Sequence, residues 1–208
     1  GTAGKIMNDK MEDNTFYLFL FKALENIFKY TKPGGGIYVC HADTEGLNFR
    51  NAFKDAGFKL AQCLIWVKNA LVLSRQDYHW RHEPILYGWK EGAAHYFIDD
   101  RTQDTIWEYN KPKKNEEHPT MKPLELCGRA ISNSSKVGEI VLDLFGGSGS
   151  TLIASDQLKR KARLMELDER FVDVIVRRYL KATGNYEESF LIRDGKSYPL
   201  SDIEDYIV

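Results

Sequence analysis

The sequence predicts an α/β fold in which helices cover both faces of a mostly parallel sheet. Helical periodicity alternates with short apolar runs along most of the 208 residues, and turns rich in glycine separate them. One such turn, at 146–149, lies between an apolar run and the start of a helix, as in α/β proteins that bind nucleosides. Hydrophobic residues make up 43% and charged residues 28% of the chain, which is typical of one globular domain.

The first half of the chain is predicted to contribute two helices and three strands. The first helix begins at Asp13 or Asn14, carries Leu20 and Leu24 at helical spacing, and stops at Pro33. The other predicted elements are a strand over 37–40, a helix over 47–56, a strand over 59–68 and a strand over 84–89. We expect a polar loop over 69–83, because the apolar pattern weakens there.

The second half is predicted to open with an insertion and to continue with alternating helices and strands. Residues 92–117 are polar with interspersed aromatic side chains, which indicates an inserted hairpin and loop. The elements that follow are a helix over 123–131, a strand over 140–143, a helix over 150–158, a strand over 162–166 and a helix over 168–184. Asp194 and Gly195 predict a final hairpin with strands over 189–192 and 196–200.

The turn after the strand over 140–143 is the strongest functional signal in the sequence. Its glycines let the backbone approach a ligand, and the helix behind it offers free N–H groups. Glu166 follows Gly146 by twenty residues and ends the next strand, where a carboxylate can accept hydrogen bonds from both ribose hydroxyls of a nucleoside cofactor. A dinucleotide and S-adenosylmethionine both suit this pattern. Leu152 stands where the dinucleotide fingerprint has glycine or alanine, which favours S-adenosylmethionine.

Three segments together resemble a known family. Residues 143–151 (D-L-F-G-G-S-G-S-T) and 165–168 (M-E-L-D) resemble motifs I and II of the amino-directed DNA methyltransferases, and 118–123 (H-P-T-M-K-P) resembles their H-P-T-x-K-P motif. Their order along the chain is that of the permuted, β-type members. The resemblance implies a Rossmann-like S-adenosylmethionine-dependent methyltransferase fold. It also implies methyl transfer to N6 of adenine or, as the second choice, N4 of cytosine in DNA.

The same resemblance implies which residues bind the cofactor. Glu166 is expected to hold the ribose, residues 145–150 the methionine part, and Thr120 or Lys122 its carboxylate. The predicted cofactor-binding residues are Thr120, Lys122, Asp143, Phe145, Gly146, Gly147, Ser148, Gly149, Ser150, Glu166 and Asp168.

The catalytic D-P-P-Y segment of this family does not occur in the sequence, which contains no Pro-Pro pair. The resemblance places that segment ahead of Gly1, so no catalytic residue is predicted within the chain. Two other hypotheses stay open. One is a non-catalytic DNA-binding or regulatory module that retains the cofactor fold, and the weaker one is a nicotinamide-dependent oxidoreductase.

Double-stranded DNA is the partner that the resemblance implies. The predicted DNA-binding residues are Trp80, Arg81, Lys113 and Lys114, because aromatic rings stack on bases and cationic side chains contact phosphate. His79 and His82 lack a third ligand nearby, so no metal site is predicted. The net charge of -1 neither requires nor excludes nucleic acid.

The sequence also predicts where the protein is located in the cell and how the chain is divided. Short apolar runs, no basic leader and three scattered cysteines predict a cytoplasmic protein without membrane contact. The resemblance implies a bacterial or phage origin. A restriction–modification role and a homodimer are compatible with the resemblance. We divide the single predicted domain into a catalytic half (1–90), a target-recognition insertion (91–117), a cofactor-binding half (118–186) and a hairpin with an acidic tail (187–208).

Overall fold

The structure is a computed structural model that describes residues 11–73, 75–110 and 121–203. Its helices are α1 (Asp13–Tyr30), α2 (Gly46–Asp55), α3 (Leu124–Ser134), α4 (Ser150–Gln157) and α5 (Glu169–Thr183). Its strands are β1 (Gly36–Cys40), β2 (Lys59–Val72), β3 (Trp80–Trp89), β4 (Ile106–Glu108), β5 (Ile140–Asp143), β6 (Lys161–Leu164), β7 (Phe190–Arg193) and β8 (Lys196–Pro199). Within these ranges, no helix combines the length and the apolar character needed to cross a membrane.

Four strands form a mixed sheet in the order β1-β3-β2-β4. β3 is antiparallel to both β1 and β2, and β4 is parallel to β2, so β1, β2 and β4 run in one direction. β5 and β6 form a separate parallel pair, and β7 and β8 form an antiparallel hairpin. The predicted α/β class is therefore confirmed, and the reversed β3 makes the sheet a mixed one.

An apolar core lies on each face of the four-stranded sheet. On one face, buried residues of α1 and α2 pack against Ile37 and Leu86 of the sheet. On the other face, Leu126 of α3 packs in a cluster that includes Tyr87 and Trp107. Leu86 and Tyr87 belong to different cores because successive side chains of a strand point to opposite faces. Helices thus cover both faces, as predicted.

Two predictions of irregular structure are wrong. β2 extends to Val72 and β3 begins at Trp80, so much of the loop predicted over 69–83 is a two-stranded ribbon. Residues 69–73 are exposed on both faces, so no alternation of buried and exposed side chains marks them as a strand. In place of the hairpin predicted over 92–117, the described residues contain the single strand β4, which pairs with the outer edge of β2.

Two chain reversals near the end of the described chain agree with the sequence. Gly184 has a φ of 69° and ends α5 in the left-handed conformation. Asp194 and Gly195 have φ values of 51° and 73°, as a two-residue type I′ hairpin turn requires.

Side-chain contacts around α3 link the four-stranded sheet to β5 and β6. The Tyr38 hydroxyl on β1 lies 2.8 Å from the Ser134 hydroxyl on α3. Lys32 forms an ion pair with Glu139, the residue before β5.

Within the described residues, β1 and β5 each pair with a strand on one side only. Each therefore presents an edge of unpaired backbone N–H and C=O groups.

Candidate functional site

A glycine turn, residues 144–149, connects the end of β5 to the start of α4. Gly147 and Gly149 have φ values of 54° and 79°, which disfavour any residue with a side chain. A Cβ atom on Gly149 would lie 3.1 Å from Cγ2 of Ile175 on α5. The turn therefore requires glycine both for its backbone angles and for the close approach of α5.

Asp143 anchors the start of the glycine turn. One carboxylate oxygen accepts a hydrogen bond from the Phe145 N–H at 2.9 Å, and the other accepts one from the Thr151 hydroxyl at 2.7 Å. Because both oxygens hold the turn, we expect Asp143 to influence a cofactor through the shape of the turn.

Glu166 joins the end of β6 to the glycine turn. Its Oε2 accepts a hydrogen bond from the Gly147 N–H at 2.8 Å. Its Oε1 accepts from the N–H groups of Leu167 and Asp168, at 2.8 and 3.0 Å. A carboxylate oxygen can accept two hydrogen bonds, so Oε2 keeps one acceptor position for a ligand. The structure thus places the predicted ribose-binding acid directly beside the turn.

Asp168 caps α5. Its carboxylate accepts hydrogen bonds from the Arg170 backbone N–H and from the Arg170 guanidinium, and it is only 5% exposed. These hydrogen bonds hold the pKa of Asp168 below its usual range. Asp168 thus begins the helix that the sequence predicts over 168–184, whereas a contact between Asp168 and the cofactor stays a prediction.

Ser148 and Ser150 are buried and make contacts inside the protein. Their hydroxyls are 3.4 Å apart, and the Ser150 hydroxyl donates a hydrogen bond to the Lys122 carbonyl at 2.9 Å. Phe145 differs, because it is 55% exposed and meets the Phe19 ring of α1 edge-on at 6.0 Å. Of these three residues, Phe145 is therefore the one that offers surface to a ligand.

Lys122 lies where α3 begins, near groups from β1, β3 and β5. Burial acts to lower the pKa of Lys122, but the influence of Cys40, Glu83, Cys127 and Asp143 raises it above its ordinary value. Lys122 therefore stays charged at neutral pH.

The two thiols near Lys122 are protonated at neutral pH. Burial raises the pKa of Cys40, and it raises the pKa of Cys127 to about 12. Because the thiolate is the nucleophilic form, neither cysteine suits nucleophilic catalysis.

Of the predicted DNA-binding residues, the structure describes Trp80 and Arg81. Trp80 and Arg81 begin β3, where the Arg81 Nε donates a hydrogen bond to the Lys68 carbonyl at 3.1 Å. Lys113 and Lys114, predicted to bind DNA, and Thr120, predicted to bind the cofactor, lie outside the described residues. In the described ranges, no three or more His, Cys, Asp or Glu side chains are grouped as metal ligands are.

Sequence reasoning missed one residue at this site. Arg178, on α5, donates a hydrogen bond to the Ser148 carbonyl within the glycine turn. Ile175 packs against the same turn from the preceding helical turn of α5. The apolar stripe of α5 marks Ile175 as buried, but nothing in the sequence indicates that Arg178 turns inward.

We expect Arg178→Ala to weaken S-adenosylmethionine binding about tenfold, because a hydrogen bond from a charged donor contributes ~1.5–3 kcal/mol. The substitution leaves the Ser148 carbonyl without this donor and loosens the turn. Calorimetric titration measures the affinity. Arg177→Ala, at the exposed neighbouring position, is the control and should bind normally. Equal affinities for the two variants would contradict a role of Arg178 in shaping the turn.

Comparison with known proteins identifies the family. The profile of the family described as DNA methylase matches residues 2–177. The chain belongs to this DNA methylase family. The match confirms the resemblance read from the glycine turn, Glu166 and the H-P-T-x-K-P motif.

Curated relatives of this DNA methylase chain are bacterial DNA methyltransferases. The type II methyltransferase M2.MboI of Moraxella bovis is 26% identical over 191 residues, which cover 85% of this chain and 70% of the relative. M2.LlaDCHI of Lactococcus lactis subsp. cremoris is 28% identical over 166 residues, covering 72% and 62%. The DNA adenine methyltransferase YhdJ of Escherichia coli (strain K12) is 24% identical over 225 residues, covering 91% and 76%. The chain thus spans roughly three fifths to three quarters of these relatives.

Solved DNA methylases share the fold. The M1.HpyAVI–SAM complex superposes with a TM-score of 0.69 at 23% identity, covering 81% of this chain and 84% of that chain. The cytosine-N4-specific PvuII DNA methyltransferase superposes with a TM-score of 0.70 at 15% identity, covering 84% and 74%. The predicted Rossmann-like methyltransferase fold is therefore confirmed.

Proposed function

We propose that this chain binds S-adenosylmethionine at the carboxyl ends of β5 and β6 and serves methylation of an exocyclic amino group in DNA. The observation that carries the proposal is the 2.8 Å hydrogen bond from the Gly147 N–H to Glu166. It sets an acid with a remaining acceptor position beside a glycine turn and a helix N-terminus. This is the arrangement that a nucleoside cofactor requires.

The residues of the site fit this cofactor. Oε2 of Glu166 can accept a hydrogen bond from a ribose hydroxyl, and the exposed Phe145 ring offers apolar surface beside the glycine turn. Lys122 retains its positive charge, which suits the carboxylate of the methionine part. When bound, the cofactor supplies a methyl group on a positively charged sulfur.

The contribution of this chain to the reaction is positional. The amino group of a base is a weak nucleophile because its lone pair is delocalised into the ring. Accurate placement of the methyl group in line with the amino nitrogen therefore supplies much of the rate. The glycine turn, held by Asp143, Glu166 and Arg178, keeps the cofactor in one orientation. The base must leave the helical stack to reach this position.

N6 of adenine is the target that we propose first, and N4 of cytosine second. YhdJ, a DNA adenine methyltransferase, supports the first choice, and the cytosine-N4-specific PvuII methyltransferase shows that the second occurs on the same fold. The DNA partner is a duplex. The type II names of the relatives from Moraxella bovis and Lactococcus lactis support a bacterial restriction–modification setting in the cytoplasm. A homodimer stays a prediction.

Two measurements on the longest native polypeptide that contains this chain test the proposal. Calorimetric titration should show binding of S-adenosylmethionine and none of NADH. After incubation with duplex DNA and cofactor labelled on the methyl group, nucleoside analysis should find N6-methyladenine or N4-methylcytosine. Binding of NADH alone would reject the methyltransferase hypothesis in favour of an oxidoreductase. Cofactor and duplex binding without methyl transfer would favour a regulatory module.

A further inference from the structure

A two-stranded ribbon extends beyond the sheet. β1 pairs with β3 as far as Ile85, and β4 pairs with β2 at residues 65–67. Among the described residues, neither β1 nor β4 pairs with residues 68–83, so the only strand pairing there is between β2 and β3. At ~3.3 Å per residue, β2 continues for about 16 Å past Val67. We call the described residues of this segment, 68–73 and 75–83, the ribbon.

The ribbon carries apolar side chains at its tip. Leu71, Leu73 and Tyr78 are 51%, 81% and 89% exposed, and Val72 is 39% exposed. Large apolar groups that adjoin one another on a surface mark sites that contact another molecule. Because these side chains gain little burial within the chain, their placement indicates an external partner.

The base of the ribbon is held firmly. Lys68 is 6% exposed, its Nζ lies 2.5 Å from a Glu83 carboxylate oxygen, and it also lies over the Trp66 ring at 5.1 Å. The Arg81 Nε donates a hydrogen bond to the Lys68 carbonyl from the opposite strand. These contacts fix the direction in which the tip projects.

The ribbon projects from the edge of the sheet where the candidate site lies. β1 and β2 are both antiparallel to β3, so their carboxyl ends share one edge. Glu83 is on this edge, and Lys122 interacts electrostatically with both Glu83 and Asp143 at the glycine turn. A molecule that reaches the cofactor site along this edge therefore also meets the ribbon.

The chemistry of the ribbon favours DNA as that molecule. Lys68 is neutralised by Glu83 within the ribbon, and Arg75 and Arg81 outnumber Asp77, the remaining acid. Cationic groups beside apolar ones are what a protein uses when it contacts phosphate and inserts a wedge between base pairs. A two-stranded ribbon also matches the ~12 Å width of the major groove.

We propose that the ribbon inserts Leu71, Leu73 and Tyr78 into duplex DNA next to the target base and thereby helps that base to leave the stack. This inference rests on the proposed function. Tyr78 stacks on an exposed base, and the two leucines fill the space that the departing base vacates. Arg75 and Arg81 contact the neighbouring phosphates.

The test compares a ribbon variant with native protein in the longest native polypeptide. The ribbon variant combines Leu71→Ser, Leu73→Ser and Tyr78→Ala. The control combines Tyr30→Ala and Val137→Ser, two exposed apolar positions, the first at the end of α1 and the second three residues before β5. The probes are a fluorescein-labelled duplex, read by anisotropy, and a duplex with 2-aminopurine at the base that the enzyme methylates, whose fluorescence rises when that base unstacks.

The ribbon variant should bind the duplex about tenfold more weakly, since stacking on an aromatic side chain is worth that much or more. It should also lose the 2-aminopurine signal, whereas S-adenosylmethionine affinity and melting temperature stay native. Tyr78→Phe, which keeps the ring, should retain both DNA signals. Native duplex affinity and a native 2-aminopurine signal in the ribbon variant would overturn this inference and leave the proposed function standing. If the ribbon substitutions convert a dimer to a monomer and leave DNA binding unchanged, the tip contacts a second copy of the chain, and the inference is overturned. Failure of the native protein to bind S-adenosylmethionine would instead contradict the proposed function.

Discussion

Glu166→Ala is expected to weaken S-adenosylmethionine binding by about a hundredfold or more, since each hydrogen bond to a carboxylate contributes ~1.5–3 kcal/mol. The substitution removes the predicted ribose acceptor. It also leaves the N–H groups of Gly147, Leu167 and Asp168 without their acceptor, so the glycine turn loses its tie to β6. Calorimetric titration of the cofactor measures the loss.

Two further variants separate these effects. Glu166→Gln keeps one acceptor oxygen and should fall between native and Ala. Glu169→Ala removes an exposed acid in the first turn of α5 and should bind the cofactor normally. Native affinity in Glu166→Ala would assign the ribose to another residue. Asp168 would then be the next candidate, although it caps α5 in this structure.

Residues 1–208 alone are expected to transfer no methyl group to DNA. The sequence lacks the catalytic D-P-P-Y segment that the resemblance implies. In addition, β1 and β5 each present an unpaired edge among the described residues, and apolar side chains such as Ile140 and Leu142 are 64% and 37% exposed near one of them. Unpaired edges next to apolar surface favour aggregation and loose packing.

The measurement compares residues 1–208 with a polypeptide that adds a D-P-P-Y segment ahead of Gly1. The shorter chain should bind the dye ANS, melt over a broad range and show no methyl transfer. The longer polypeptide should melt sharply and methylate duplex DNA. The control replaces the aspartate of D-P-P-Y by alanine in the longer polypeptide. This variant should retain sharp melting and lose methyl transfer. Sharp melting together with methylation by the shorter chain would mean that residues 1–208 contain the catalytic groups themselves.

Local sequence determined the part of the site that depends on short-range structure. Glycine is strongly favoured at 147 and 149, where φ is positive, and Asp168 is a favoured residue where a helix must begin. Glu166 could be placed because the end of a strand and its distance from the glycine turn follow from the βαβ pattern. These inferences needed only neighbours along the chain.

The tertiary structure decided contacts between residues that are far apart in the sequence. Arg178 reaches the Ser148 carbonyl only because α5 packs across the turn. The ribbon was predicted as a loop because a strand exposed on both faces shows no alternation, and only its pairing with β3 identifies it. Hydrophobic periodicity does not indicate where a polar or exposed side chain points. The partner of such a side chain is therefore known only once the helices and strands have packed. Hydrophobic patterning therefore determined the helices and the buried strands of this chain, whereas packing decided the exposed ribbon and which polar groups meet at the site.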